Sequence, residues 1–251
     1  MVRWSLRKTL LPLMLLCAHW THAADTQAPF QVVSGDLPPY AIEGQPASPG
    51  VHVEVVEQML QRAGTPLKVG FVPWARAITL AKLGPRTAIL PLTRTPEREA
   101  HFKWLVKLDT QHFVFINRSG EPAVSSLEQA RKLRIVVLRG SPNLAQLLNR
   151  DVPPSQIAEA TRVEDMLRLV ERGIVDALYG GNVINLEKIR ASGRDPARFQ
   201  VGMRVESADM WLAGSKDLSD SEQQAWQQAY DGMLRDGALA RIYRGYHLPL
   251  P

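Results

Sequence analysis

The sequence predicts an α/β protein built from two blocks of similar size joined through strands. Three observations predict it: strand-like and helix-like segments alternate along the chain, the rhythm restarts after about residue 118, and no flexible linker or repeat separates the two runs. In the first block Phe30 to Ser34 reads as a strand. Val51, Val55, Val56, Met59, Leu60 and Ala63 recur at helical spacing, and Gly64 closes that helix. Leu67 to Val72 reads as a second strand, Pro73 to Leu83 as a short helix ended by Gly84, and Thr87 to Leu92 as a third strand. In the second block Leu127 to Leu133 reads as a helix opened by a capping box of Ser126 and Gln129. Arg134 to Leu138 follows as a strand and Pro142 to Arg150 as a helix. Thr161 and Glu164 make a second capping box for a helix running to Gly173. Ile174 to Tyr179 is a strand, followed by Gly180 and Gly181 and a helix through Leu186 and Ile189. Phe199 to Val205 and Met210 to Ala213 are extended. Ser219 with Glu222 caps another helix, and Ala238 to Tyr246 forms the last.

The first residues carry a different signal. Arg3, Arg7 and Lys8 precede an apolar run from Leu10 to Ala18, and Thr21, His22, Ala23 and Ala24 follow. This order is that of a secretory leader (residues 1–23) cut after Ala23. The alternative is an uncleaved anchor, but a span needs about 20 apolar residues and this run is shorter. The only cysteine, Cys17, lies within the leader, and Leu16 before it does not suit a lipid anchor. The mature chain is therefore expected to be periplasmic and free of disulfides, stable through its core alone. Loss of the leader removes three positive charges and no negative one, taking the formal charge from +5 to +2. So small an excess does not suit nucleic acid.

Two motifs point to a ligand. Thr95-Pro96-Glu97-Arg98 follows a strand end, with Thr95 as N-cap and Pro96 at the first helical position. Free N–H groups at a helix start attract anions, and Arg98 adds a planar fork suited to a carboxylate. Thr93 supplies a hydroxyl beside it. Arg139-Gly140-Ser141-Pro142-Asn143 repeats the logic after the strand ending at Leu138, with Ser141 as N-cap and Gly140 permitting close approach. Ligands of α/β sheets bind outside the carboxyl ends of strands, so two such sites facing each other make a cleft. Either motif alone is equally an ordinary helix start. Tyr40, after Pro38-Pro39, and Trp74, after Pro73 with Arg76 two residues on, stand at strand ends where an aromatic face walls a pocket; core packing is the alternative. Core packing is the reading for Trp104, Trp211 and Trp226. The mature histidines, His52, His101, His112 and His247, lack zinc-site spacing. The chain has no G-x-S-x-G elbow and no phosphate-binding loop. No catalytic residue, metal or cofactor is assigned.

The ordered set Leu37-Pro38-Pro39-Tyr40, Pro73-Trp74-Ala75-Arg76-Ala77, Thr93-Arg94-Thr95-Pro96-Glu97-Arg98-Glu99, Leu138-Arg139-Gly140-Ser141, Gly173-Ile174-Val175-Asp176-Ala177 and Asp236-Gly237 with Ile242-Tyr243 resembles the family 3 extracellular solute-binding proteins, receptors of ABC importers for polar amino acids. The resemblance covers nearly the whole mature chain. It implies a type II periplasmic-binding-protein fold, two α/β lobes joined by two hinge strands with ligand in the cleft. Lobe 1 would hold residues 24–114 and 205–251, and lobe 2 residues 115–204. It also implies that Arg98 clamps a ligand carboxylate, with Thr93 and Thr95 nearby, and that Gly140 and Ser141 touch ligand. The sequence departs from the family where an aspartate normally pairs with the ligand ammonium: Tyr179-Gly180-Gly181-Asn182 holds no acid. Pro91 replaces a common serine, and Arg139 adds charge. A buried ammonium without a partner is costly, so either the ligand is an anion or Asn182 or another group stands in. The expected function is capture of a small polar or anionic solute by a monomer, with an ABC transporter as membrane partner. The alternatives are an exported enzyme on the same scaffold, resembling cyclohexadienyl dehydratases, and a soluble sensor for a membrane receptor.

Overall fold

The computed structural model describes residues 1–2 and 28–251; the leader from residue 3 on, its cut site and Cys17 lie outside the described residues. The first block folds as β1 (Gln31–Ser34), α1 (Val51–Arg62), β2 (Gly70–Phe71), α2 (Trp74–Leu83), β3 (Thr87–Thr93) and α3 (Pro96–Glu99). A 16-residue strand, β4 (Lys103–Arg118), leads into the second block: α4 (Leu127–Ala130), β5 (Ile135–Leu138), α5 (Asn143–Leu148), β6 (Ile157–Ala160), α6 (Val163–Glu171), β7 (Ala177–Gly181) and α7 (Asn182–Ala191). A second 16-residue strand, β8 (Phe199–Gly214), returns the chain to the first half, where α8 (Asp220–Arg235) and α9 (Ala238–Gly245) end it.

One sheet runs through both halves in the order β2-β1-β3-β8-β4-β7-β5-β6. Its flanks, β2-β1-β3 and β7-β5-β6, are parallel. The long central pair β4–β8 is antiparallel and pairs with β3 through the end of β8 and with β7 through the end of β4. The helical crossovers make each flank parallel, and parallel strands covered on both faces read as continuous apolar runs. The four residues of β5 are all buried. They alternate between two clusters: Val136 and Leu138 join the cluster that includes Met166 and Leu167 of α6, while Ile135 and Val137 join Phe113, Phe115 and Tyr179.

Several expectations change. Residues 199–205 and 210–213 belong to one strand, β8, and β4 and β6 were not foreseen. Residues 103–118 mix exposed and buried positions without strict alternation, and the register of β4 against β8 shifts at several points, which hides a period of two. Val114 and Arg204, the last lobe residues expected on either strand, are paired across β4 and β8 at one of those shifts. The second capping box does not form: α6 starts after Arg162, without a side-chain cap. The Ser126 box is half formed, because Ser126 accepts from the Gln129 N–H but the Gln129 amide turns to Ser125. The Ser219–Glu222 box is complete. Core packing holds for Trp226, which is buried and stacks on Phe30, and for Trp104, which is also buried; Trp211 is half-buried, and Arg94 lies over the Trp104 and Trp211 rings at 5.2 and 5.0 Å.

Candidate functional site

A small, partly enclosed cavity lies where the carboxyl ends of the two parallel flanks meet. Leu37, Trp74, Pro91, Thr93 and Met210 face it from the first half; Leu138, Ser141, Asn143, Val163, Met166, Gly180, Gly181, Ile184 and Asn185 face it from the second, and Gln111 of β4 joins the two. None of the described residues lining it is ionisable. Its volume of about 40 Å³ is room for about three water molecules.

Direct contacts close the seam around it. Arg98 donates from Nη1 to the Thr93 carbonyl at 2.9 Å and from Nη2 to the Gly140 carbonyl at 2.7 Å, which ties the start of α3 to the loop before α5. Gly140 has φ +79°, in the left-handed region that favours glycine, and a Cβ there would lie 3.3 Å from the Ala75 Cα of α2. On the opposite rim Lys188 of α7 meets Asp36 at 2.7 Å. The other Asp36 oxygen accepts from the Glu43 N–H. Arg98 has no carboxylate within ion-pair distance among the described residues. Burial pushes its pKa down to about 10, against a smaller upward pull from Glu97. Arginine carries five donor hydrogens, so three remain after these two bonds.

Of the residues singled out in the sequence, Trp74, Thr93 and Ser141 line the cavity, and Arg98 and Gly140 meet at its edge. Thr95 is the N-cap of α3, as read, but no side-chain cap bond forms. Its hydroxyl, after the Glu97 backbone N–H, helps hold the Glu97 carboxyl below the usual range. Ser141 lies one residue before the cap of α5; its hydroxyl donates to the Leu138 carbonyl and accepts from the Asn143 N–H. Tyr40 is placed elsewhere. It is buried in the first core with its ring stacked on His52 at 4.4 Å, because Leu37 takes the wall position. Arg76 and Arg139 are exposed and outside the lining. Asn182 does not face the cavity either: its Oδ1 accepts from the Val183 N–H at 2.6 Å.

Sequence reasoning missed the amides. Gln111, Asn143 and Asn185 are only 7%, 3% and 2% exposed. Asn143 Nδ2 donates to the Tyr179 carbonyl at 3.0 Å, and Asn185 Nδ2 to the Gly181 carbonyl at 2.7 Å. Gly180 and Gly181 make this possible: a Cβ on Gly180 would press on both asparagine amides, and one on Gly181 would overlap the Gln111 amide. The Gly-Gly pair closing a buried strand, with Asn185 one helical turn later, was the available signal.

Residues 31–249 match the sequence profile of the bacterial extracellular solute-binding proteins, family 3. No curated protein matches. Among solved structures, the arginine-, lysine-, histidine-binding protein ArtJ from Geobacillus stearothermophilus shares 15% identity and a TM-score of 0.78, covering 89% of this chain and 97% of that one. A histidine kinase sensor domain with similarity to periplasmic binding proteins shares 18%, covering 86% and 95%, with a TM-score of 0.77. EhuB in complex with hydroxyectoine shares 18%, covering 88% and 89%, with a TM-score of 0.76. At such identities the likeness shows the fold, a type II periplasmic-binding-protein fold, and the profile match shows the kinship: the chain belongs to the bacterial extracellular solute-binding proteins, family 3.

Proposed function

We propose that the chain is a periplasmic receptor that captures a small polar or anionic solute in this cavity and hands it to an ABC transporter. Arg98 carries the reading. It is a partly buried cation beside the cavity, bonded to two backbone carbonyls and to no carboxylate, with three donor hydrogens left over. A buried charge without a counter-charge is costly, and a ligand carboxylate or similar anion supplies one. Among the described residues, 28–114 and 205–251 form one lobe and 115–204 the other. The lobes open and close by bending of β4 and β8 near Val114 and Arg204. Opening breaks the Arg98–Gly140 and Asp36–Lys188 contacts, admits the solute, and lets the seam re-form over it. Capture without chemistry is favoured over a dehydratase-like reaction because the lining offers no ionisable side chain for proton transfer. The same closure would serve a sensor, and the likeness to a histidine kinase sensor domain favours that as the second reading.

The test is a thermal-shift and tryptophan-fluorescence screen of the purified protein against small carboxylates, amino acids and inorganic anions. A ligand of the folded state raises the melting temperature, and Trp74, which lines the cavity, reports its arrival. A saturable response in both signals with one class, and the ligand recovered unchanged, supports a receptor. Conversion of the ligand would overturn it in favour of the enzyme, and silence across all classes would remove the basis for capture at this cavity.

A further inference from the structure

Given capture at this cavity, the structure assigns the ligand a class: an anion whose remaining polar groups are uncharged hydrogen-bond donors, such as a hydroxy acid, in place of an α-amino acid. The observation is independent of Arg98. Gln111 Oε1, Asn143 Oδ1 and Asn185 Oδ1 are buried, lie on residues lining the cavity, and have no hydrogen-bond partner among the described residues. Buried polar atoms are seldom left unpaired. Their orientation is set for both asparagines, because each amide nitrogen is committed to a carbonyl of β7, which leaves the oxygen as the free end. These unpaired acceptors sit in the cavity wall, and opening of the seam would offer them to donors of a ligand.

Charge decides which donors fit. An ammonium satisfies acceptors but brings a full positive charge, and no lining residue is acidic. The adjoining pocket holds three acids: Asp36 is already paired with Lys188 and bonded to the Glu43 N–H, Glu164 is paired with Arg194, and Glu43 is exposed. Arg98 supplies one cation to the site, so an ammonium would leave cation beside cation with a single ligand carboxylate between them. A hydroxyl donates to the same oxygens without that cost. Sites built around buried hydrogen-bonding groups discriminate steeply between close analogues.

Matched pairs differing only in hydroxyl for ammonium test this: lactate and alanine, glycerate and serine, malate and aspartate, 2-hydroxyglutarate and glutamate. Titration calorimetry on protein unfolded and refolded to strip carried-over solute is expected to show the hydroxy acid binding at least about tenfold more tightly in every pair that binds. Gln111→Glu introduces the negative charge that the lining lacks and is expected to reverse the order. An amino acid binding as tightly as its hydroxy twin to the unaltered protein overturns the assignment. If that binding also weakens in Arg98→Met, capture at the cavity stands and only the ligand class falls. If no member of any pair binds, both fall.

Discussion

Replacing Arg98 by methionine should separate binding from stability. The side chain keeps much of its length and loses its charge and both hydrogen bonds, to the Thr93 and Gly140 carbonyls. A hydrogen bond to a charged group is worth about 1.5–3 kcal/mol. Against that loss, the variant no longer holds a half-buried guanidinium without a carboxylate, and relief of that desolvation offsets part of the loss. The two effects oppose, and the ligand-free protein is expected to change by no more than about 2 kcal/mol, or about 4–8 °C in Tm. Binding has no such compensation. Loss of a charged hydrogen bond to the ligand anion costs about 1.5–3 kcal/mol, which weakens Kd by about 10- to 150-fold. Differential scanning calorimetry without ligand and titration calorimetry with it measure the two quantities. Unchanged affinity would refute the clamp. A fall in Tm well beyond 8 °C would show instead that Arg98 is chiefly a structural pin between the halves.

Three other outcomes are expected. Asp36→Asn breaks the partly exposed pair with Lys188, worth about 1 kcal/mol; the ligand-free protein should become more open, read as a larger radius of gyration by small-angle scattering, with unchanged scattering counting against a latch. Gly140→Ala places a methyl in left-handed backbone against Ala75 and should cost about 1 kcal/mol of stability while weakening ligand affinity, whereas Gly70→Ala, with no atom nearer than 3.7 Å, should do neither. His52 is buried with neither ring nitrogen in a hydrogen bond among the described residues, and burial lowers its pKa despite the opposing pull of Asp109, whose carboxylate lies 3.7 Å from Nε2. The unfolded chain takes up that proton near pH 6.5 and the folded chain resists it, so stability should fall as pH drops below about 6.5, by up to about 1.4 kcal/mol per pH unit. His52→Phe keeps a ring against Tyr40 and should flatten the slope between pH 7 and 5; equal slopes in chemical denaturation would refute the role of His52.

Much of this protein is written locally. Helical spacing from Val51 to Ala63, the glycine stops, and the Ser219–Glu222 box each depend on residues within a few positions of one another, and each forms as read. The α/β class and the placing of Thr95-Pro96 and Ser141-Pro142 at strand ends also form as read, but the cap details do not: Thr95 makes no side-chain cap bond, and Pro142 in place of Ser141 is the cap of α5. What depends on distant partners was not legible. Tyr40 and Leu37 are three residues apart, and only the packing of α1 decides that Tyr40 stacks on His52 while Leu37 faces the cavity. Asn182 and Asn185 are both polar residues near the start of α7 and both bond to nearby backbone, yet only Asn185 is buried against the second half of the sheet and lines the cavity. Gln111 lies in a strand whose register is set by β8, nearly a hundred residues later. The sequence by itself determined the class, the family and the arginine beside the cleft. The tertiary structure decided which neutral amides line the cavity, since burial of a polar side chain is a property of everything packed around it.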